Sequence, residues 1–92
     1  MTEEEPTRIM VVDDHPVVRN GIVFALSAYP DLAVVAQAGS GEEALSLVRS
    51  AYPDVVLMDL RMPGMGGVAA IQAIREARPE AQVLALTSFP DG

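Results

Sequence analysis

Apolar residues follow two rhythms along this chain. Mostly apolar consecutive positions make up Arg8 to Val12, Leu32 to Ala38, Val55 to Met58 and Gln82 to Thr87, which are rich in valine, leucine and isoleucine. Runs of this length without polar alternation predict strands covered on both faces. Between them the spacing changes to three and four. Val18, Ile22, Ala25 and Leu26 form one stripe, Ala44, Leu45, Val48 and Tyr52 a second, and Ala70, Ile71, Ile74 and Ala77 a third. Each stripe predicts an amphipathic helix.

Local signals agree with that alternation. A proline followed by an acid recurs at Pro30-Asp31, Pro53-Asp54 and Pro79-Glu80, each time between a helical stretch and a strand. Pro16 suits the first turn of the first helix, where its missing amide hydrogen costs nothing. Ser40-Gly41-Glu42-Glu43 predicts a capping box, in which the serine hydroxyl and the Glu43 carboxylate each satisfy an amide at the start of the second helix. Right-handed crossovers then place helices on both faces of one parallel, doubly wound sheet.

Composition narrows the function. Half of the 92 residues are apolar, enough for one small core, and the division reads as a short acidic tail over residues 1–7 and a single domain over 8–92. Six arginines and no lysines face thirteen acids, a net charge of −7. The electrostatic footprint of a nucleic-acid binder is missing, and no DNA contact by this chain is expected. No apolar stretch reaches membrane-spanning length and the acidic start is unlike a signal sequence, so a cytoplasmic location is expected. The absence of cysteine removes disulfides, thiolate metal sites and cysteine nucleophiles.

The candidate chemistry lies where strands end. Asp13 and Asp14 close the first apolar run and Asp59 closes the third. Ends of like polarity share one edge of a parallel sheet, and ligands bind there where the strand order reverses. Carboxylates gathered at such an edge repel one another unless a cation offsets them, and an all-oxygen set points to magnesium. Taken alone, the Asp13-Asp14 pair reads equally well as a turn former or helix cap. His15, the single histidine, reads as a helix-start residue. The loop Asp59-Leu60-Arg61-Met62-Pro63-Gly64-Met65-Gly66-Gly67 runs from an acid through a Pro-Gly turn to a glycine-opened helix, which lets backbone groups approach a ligand closely.

These features together resemble the receiver domain of bacterial two-component response regulators. The Asp13-Asp14 pair, the Asp59 to Gly67 loop with its Met62-Pro63 step, and Thr87 at the fourth strand end fall in that family's order. The stretch Asp13-Asp14-His15-Pro16-Val17-Val18-Arg19-Asn20-Gly21 resembles the subgroup whose full-length members carry a C-terminal helix-turn-helix of the LuxR and FixJ type. The resemblance implies a flavodoxin-like sheet of order 2-1-3-4-5. It is incomplete here, with four strands and three helices, the fifth strand and last two helices being absent. It also implies a function: Asp59 accepts a phosphoryl group from a sensor histidine kinase. Asp14, Asp59 and the backbone carbonyl of Arg61 would bind magnesium, Asp13 would assist through a water, and Thr87 would contact the phosphoryl group. Such a module takes part in its own phosphotransfer and is not a turnover enzyme.

One departure matters most. The family places a lysine at the end of a fifth strand, and this chain has none. Loss of one charge-assisted contact of that kind commonly costs roughly 1.5 to 3 kcal/mol, so impaired phosphorylation is expected. The fourth run, Val83 to Leu86, carries no charge to protect it as an edge strand, and pairing with a second copy is expected. A non-phosphorylated dimerising fragment is therefore the alternative reading. A magnesium-dependent phosphatase ranks below both, because such enzymes carry a second acid two residues beyond the nucleophile, where Arg61 stands here.

Overall fold

The computed structural model describes residues 5–60 and 67–86. Seven elements alternate in order: β1 (Thr7–Val12), α1 (Pro16–Leu26), β2 (Leu32–Ala38), α2 (Gly41–Ala51), β3 (Val55–Asp59), α3 (Gly67–Ala77) and β4 (Gln82–Leu86). The four strands form one parallel sheet of order β2-β1-β3-β4. The chain moves from β1 to one side for β2 and to the other side for β3. The order reverses at β1, and the crevice between the carboxyl ends of β1 and β3 is the switch point.

The fold is the flavodoxin-like receiver arrangement expected from the sequence, with strand boundaries within two residues of the predicted ones. The two faces of the sheet differ, however. Alternate residues Met10, Val12, Val56 and Met58 point to one face and pack with Ala44 and Val48 of α2 and with Ala70 and Ile74 of α3. All eight are at most 1% exposed, so this side holds the core. The opposite face has α1, none of whose residues is buried. Val18, from the predicted stripe, is 49% exposed, and Val17 and Phe24 are more open still. Helices on both faces were the expectation and both are present, but the α1 side is the more open of the two. An apolar stripe records that a helix has a sticky side but not how much partner surface lies opposite it.

Two local details also depart from expectation. Ser40 caps α2 as predicted, its hydroxyl accepting the Glu43 amide at 3.0 Å, but the Glu43 carboxylate reaches past Ser40 to the Gly39 amide at 2.8 Å. Tyr52 ends α2 in the left-handed region at φ 51°, which turns its side chain out of the predicted stripe to 58% exposure. Arg8 compensates by donating to the carbonyls of Tyr52 at 3.1 Å and Ala51 at 2.6 Å, which α2 leaves unbonded at its end. Arg78 stacks over the Tyr52 ring at 5.4 Å.

The same turn sets the level of the functional edge. The Arg8 amide donates to the Asp54 carboxylate at 2.9 Å while the Asp54 amide donates to the Arg8 carbonyl at 2.7 Å. This double tie starts a ladder that pairs Ile9 with Val55 and Val12 with Met58. Continued by one residue, that register brings Asp13 level with Asp59.

Candidate metal and phosphoacceptor site

Asp13, Asp14, His15 and Asp59 converge at the carboxyl ends of β1 and β3, each offering a ligand atom within 4.8 Å of the others. The sequence names three of these four. Asp13 and Asp59 are 4% and 7% exposed, so two carboxylates lie almost wholly inside the protein at one sheet edge. Arg61 and Thr87, also named from the sequence, lie outside the described residues.

Asp13 has two structural tasks. Its Oδ1 accepts the His15 amide at 2.8 Å, closing a two-residue turn that starts α1, and lies 2.9 Å from His15 Nδ1. Its main chain is tied on both sides, the amide donating to the Ala38 carbonyl at 3.0 Å and the carbonyl accepting Arg19 Nη1 at 2.8 Å. The turn-forming role of Asp13 and its place in the acidic cluster thus coexist.

His15 sits at the helix start, as read from the sequence, but its ring also reaches the cluster. Nδ1 lies 2.9 Å from Asp14 Oδ1 and 3.8 Å from Asp59 Oδ2. The His15 pKa is raised above the ordinary 6.5, first by the hydrogen bond to Asp13 and then by the Asp14 charge. Desolvation opposes the shift, and the charges of Asp13 and Asp59 add to it. The sequence signal was adjacency alone: a residue following an acid pair at a strand end is carried to the same edge by the turn.

The donor set fits a hard divalent cation. The Oδ1 atom of Asp14 is shielded from water and, despite the nearby imidazole, makes no hydrogen bond of acceptable geometry. A buried carboxylate oxygen without a donor is costly unless a cation serves it. Oxygens around one magnesium ion stand about 3 to 4.2 Å apart, given bond lengths near 2.1 Å, so a span of 4.8 Å needs only slight contraction. Asp13, Asp14 and Asp59 are the residues that would hold it.

A sheet with this order and a carboxylate cluster at its switch point matches known proteins along nearly the whole chain. The family model for the response regulator receiver domain covers residues 9–91. The chain belongs to that family. This receiver domain is 49% identical over 80 residues to the response regulator GacA of Pseudomonas viridiflava, a match covering 87% of the chain and 37% of that protein. The solved signal receiver domain of NarL from Mycobacterium tuberculosis superposes with a TM-score of 0.86 at 40% identity, covering 96% of this chain and 71% of that one. A LuxR-family two-component response regulator from Aurantimonas gives the same TM-score at 44% identity, covering 92% and 61% respectively. The receiver domain spans well under half the length of the curated relatives it matches. Among its described residues no helix is long and apolar enough to cross a membrane.

Proposed function

We propose that this chain is the phosphoacceptor module of a two-component transcriptional response regulator, with Asp59 as the residue that takes the phosphoryl group. The observation that carries the reading is the convergence of Asp13, Asp14 and Asp59 at the switch point of a receiver fold. In the step itself a carboxylate oxygen of Asp59 attacks the phosphorus of a phosphohistidine on a sensor kinase. An O–P bond forms, the N–P bond breaks, and the electron pair stays on the imidazole nitrogen, which takes up a proton. Magnesium bound at this edge would supply positive charge against the phosphoryl oxygens. Asp14, Asp59 and the Arg61 carbonyl would hold it, Asp13 would assist through a water, and Thr87 would donate to a phosphoryl oxygen.

The chain participates in its own modification and does not turn over. It works in the cytoplasm, with residues 1–7 as a tail outside the domain of 8–92, and DNA contact belongs to other parts of a full-length regulator. With no lysine to meet the phosphoryl group, transfer to this chain is slow. The test is exposure to a radiolabelled small phosphodonor with magnesium, alongside Asp59→Asn. Slow, sub-stoichiometric labelling that vanishes in the variant is expected. Label persisting in Asp59→Asn, or no label on long exposure, sinks the phosphoacceptor assignment; rapid near-complete labelling sinks the impairment.

A second reading has its own support. β4 pairs with β3 alone among the described residues, and its Leu84 and Leu86 are 51% and 36% exposed. In that reading the chain acts as a dimerising fragment through β4 without phosphotransfer. A stable dimer indifferent to Asp59→Asn, with no label on Asp59, favours it over the first.

A further inference from the structure

Arg19 stands out on α1. No residue of that helix is buried, yet the Nε of Arg19 is shielded from water and has no hydrogen-bond partner among the described residues. Its Nη1 donates to the main-chain carbonyl of Asp13 at 2.8 Å. A guanidinium is costly to bring in from solvent when its own helix offers an exposed surface, so the contact with Asp13 calls for a reason.

Geometry supplies one. The amide of Asp13 is already held by the Ala38 carbonyl, and Arg19 holds its carbonyl from the other side. That carbonyl belongs to the peptide joining Asp13 to Asp14. The Asp14 side chain branches from the Cα that follows this peptide, so holding the peptide limits where the side chain can sit, and its Oδ1 lacks a hydrogen bond. Beyond Ala38 the chain keeps room for the guanidinium: a Cβ on Gly39 would stand 3.2 Å from Arg19 Nη1 and 3.7 Å from Glu43 Oε1. Glu43 in turn accepts the Gly39 amide at 2.8 Å. Arg19, Gly39 and Glu43 thereby clamp the acid-bearing turn between α1 and the start of α2.

We propose that Arg19 is a positioning residue for the carboxylate pair, fixing the Asp13–Asp14 peptide so that the site binds its divalent cation. The proposal rests on the receiver reading of the site. A guanidinium that merely tethers α1 to the sheet contributes to stability alone. One that orients the acids sets metal affinity as well.

Magnesium titration by calorimetry on the 92-residue chain, with thermal unfolding in parallel, separates the two. Arg19→Met keeps the aliphatic stem and removes the donors; magnesium affinity is expected to fall about five- to tenfold, the worth of one well-placed hydrogen bond. Arg19→Lys restores one donor and is expected to recover most of the loss. Gly39→Ala pushes on Nη1 from the far side, shifts the Arg19 Nε–H resonance and weakens magnesium by a smaller factor. Combined with Arg19→Met it adds nothing further, because both act through one contact. Unchanged magnesium affinity in a folded Arg19→Met overturns the proposal. Should that variant not fold, unchanged affinity in Gly39→Ala with a shifted Nε–H signal overturns it equally. Absence of magnesium binding by the unaltered chain is a different failure: it removes the magnesium-dependent phosphoacceptor reading, and this proposal with it.

Discussion

The Nδ1 atom of His15 lies 2.9 Å from Oδ1 of Asp13, held there by the same two-residue turn in which that oxygen accepts the His15 amide. The exposed imidazole is thereby tethered to a nearly buried carboxylate, with Asp14 and Asp59 also in range.

A pH dependence follows with a definite sign. The His15 pKa is raised in the folded protein, so the folded state binds the proton more tightly than the unfolded chain. The resulting stabilisation is fully present below the unfolded value near 6.5 and is lost as pH rises through the folded value. Ring-proton NMR should place the His15 midpoint above 6.5 in metal-free buffer. The stability difference between the native chain and His15→Asn should shrink across the same interval, and a difference that grows with pH contradicts the assignment.

Asp14 offers a trade between stability and binding. Above the pH at which His15 loses its proton, Asp14→Ala removes one of three clustered carboxylates and is expected to raise the metal-free melting temperature. Magnesium is expected to stabilise the native chain by mass action, since only the folded state assembles the site, and that increment should disappear in the variant. Melting curves with and without magnesium check both halves. A variant that melts lower without metal shows that repulsion does not dominate the cluster.

Much of this was legible in advance because each signal was local. Continuous apolar runs gave four strands, and Pro16 and Ser40 gave two helix starts at the observed positions. The convergence of Asp13, Asp14 and Asp59 followed from strand polarity alone. What escaped depended on contacts between distant segments. The ring of His15 reaches the acids through a turn whose geometry the sequence does not display, and Arg19 looks from its spacing like an ordinary polar residue on an amphipathic helix. The thin cover on the α1 face escaped because a stripe of apolar residues carries no measure of what opposes it. Arg61 and Thr87 were named from resemblance and lie outside the described residues.

The helix cap is a clean local test. Ser40 accepts the Glu43 amide at 3.0 Å, and replacing such a cap with alanine commonly costs about 1 kcal/mol. Ser40→Ala should lose that much in urea denaturation with an unchanged m-value. A loss within error of zero means that the Glu43 carboxylate, bonded to the Gly39 amide, secures the helix start by itself.

The unequal faces predict unequal sensitivity. Ile74 is fully buried between α3 and the sheet, so Ile74→Ala removes well-packed methylenes and leaves a cavity costing about 2 to 5 kcal/mol. Ile22 lies on α1, where no residue is buried, and Ile22→Ala should cost less than half as much. Chemical denaturation of the two variants decides the matter, and equal losses contradict the description of α1 as thinly covered.

The edge of the sheet governs the last prediction, which concerns self-association. β4 has one strand partner among the described residues, and an apolar edge strand offers both backbone donors and side-chain area to another chain. Leu84, half exposed, and Leu86 lie on it with no charged residue between them to discourage pairing. A second copy presents the same strand, and a two-fold axis lets the two edges meet as equals. Light scattering after size-exclusion chromatography should therefore give a dimer or larger assembly at high concentration. Leu84→Lys places a charge on that surface and should restore the monomer, since like charges brought together across a symmetric contact repel. The change Asp59→Asn lies at the carboxyl end of β3 and should leave the assembly unaltered if β4 alone carries it. A native chain that stays monomeric throughout rules out pairing by this strand, and dimers that survive Leu84→Lys move the contact elsewhere, with the exposed apolar residues of α1 next in line.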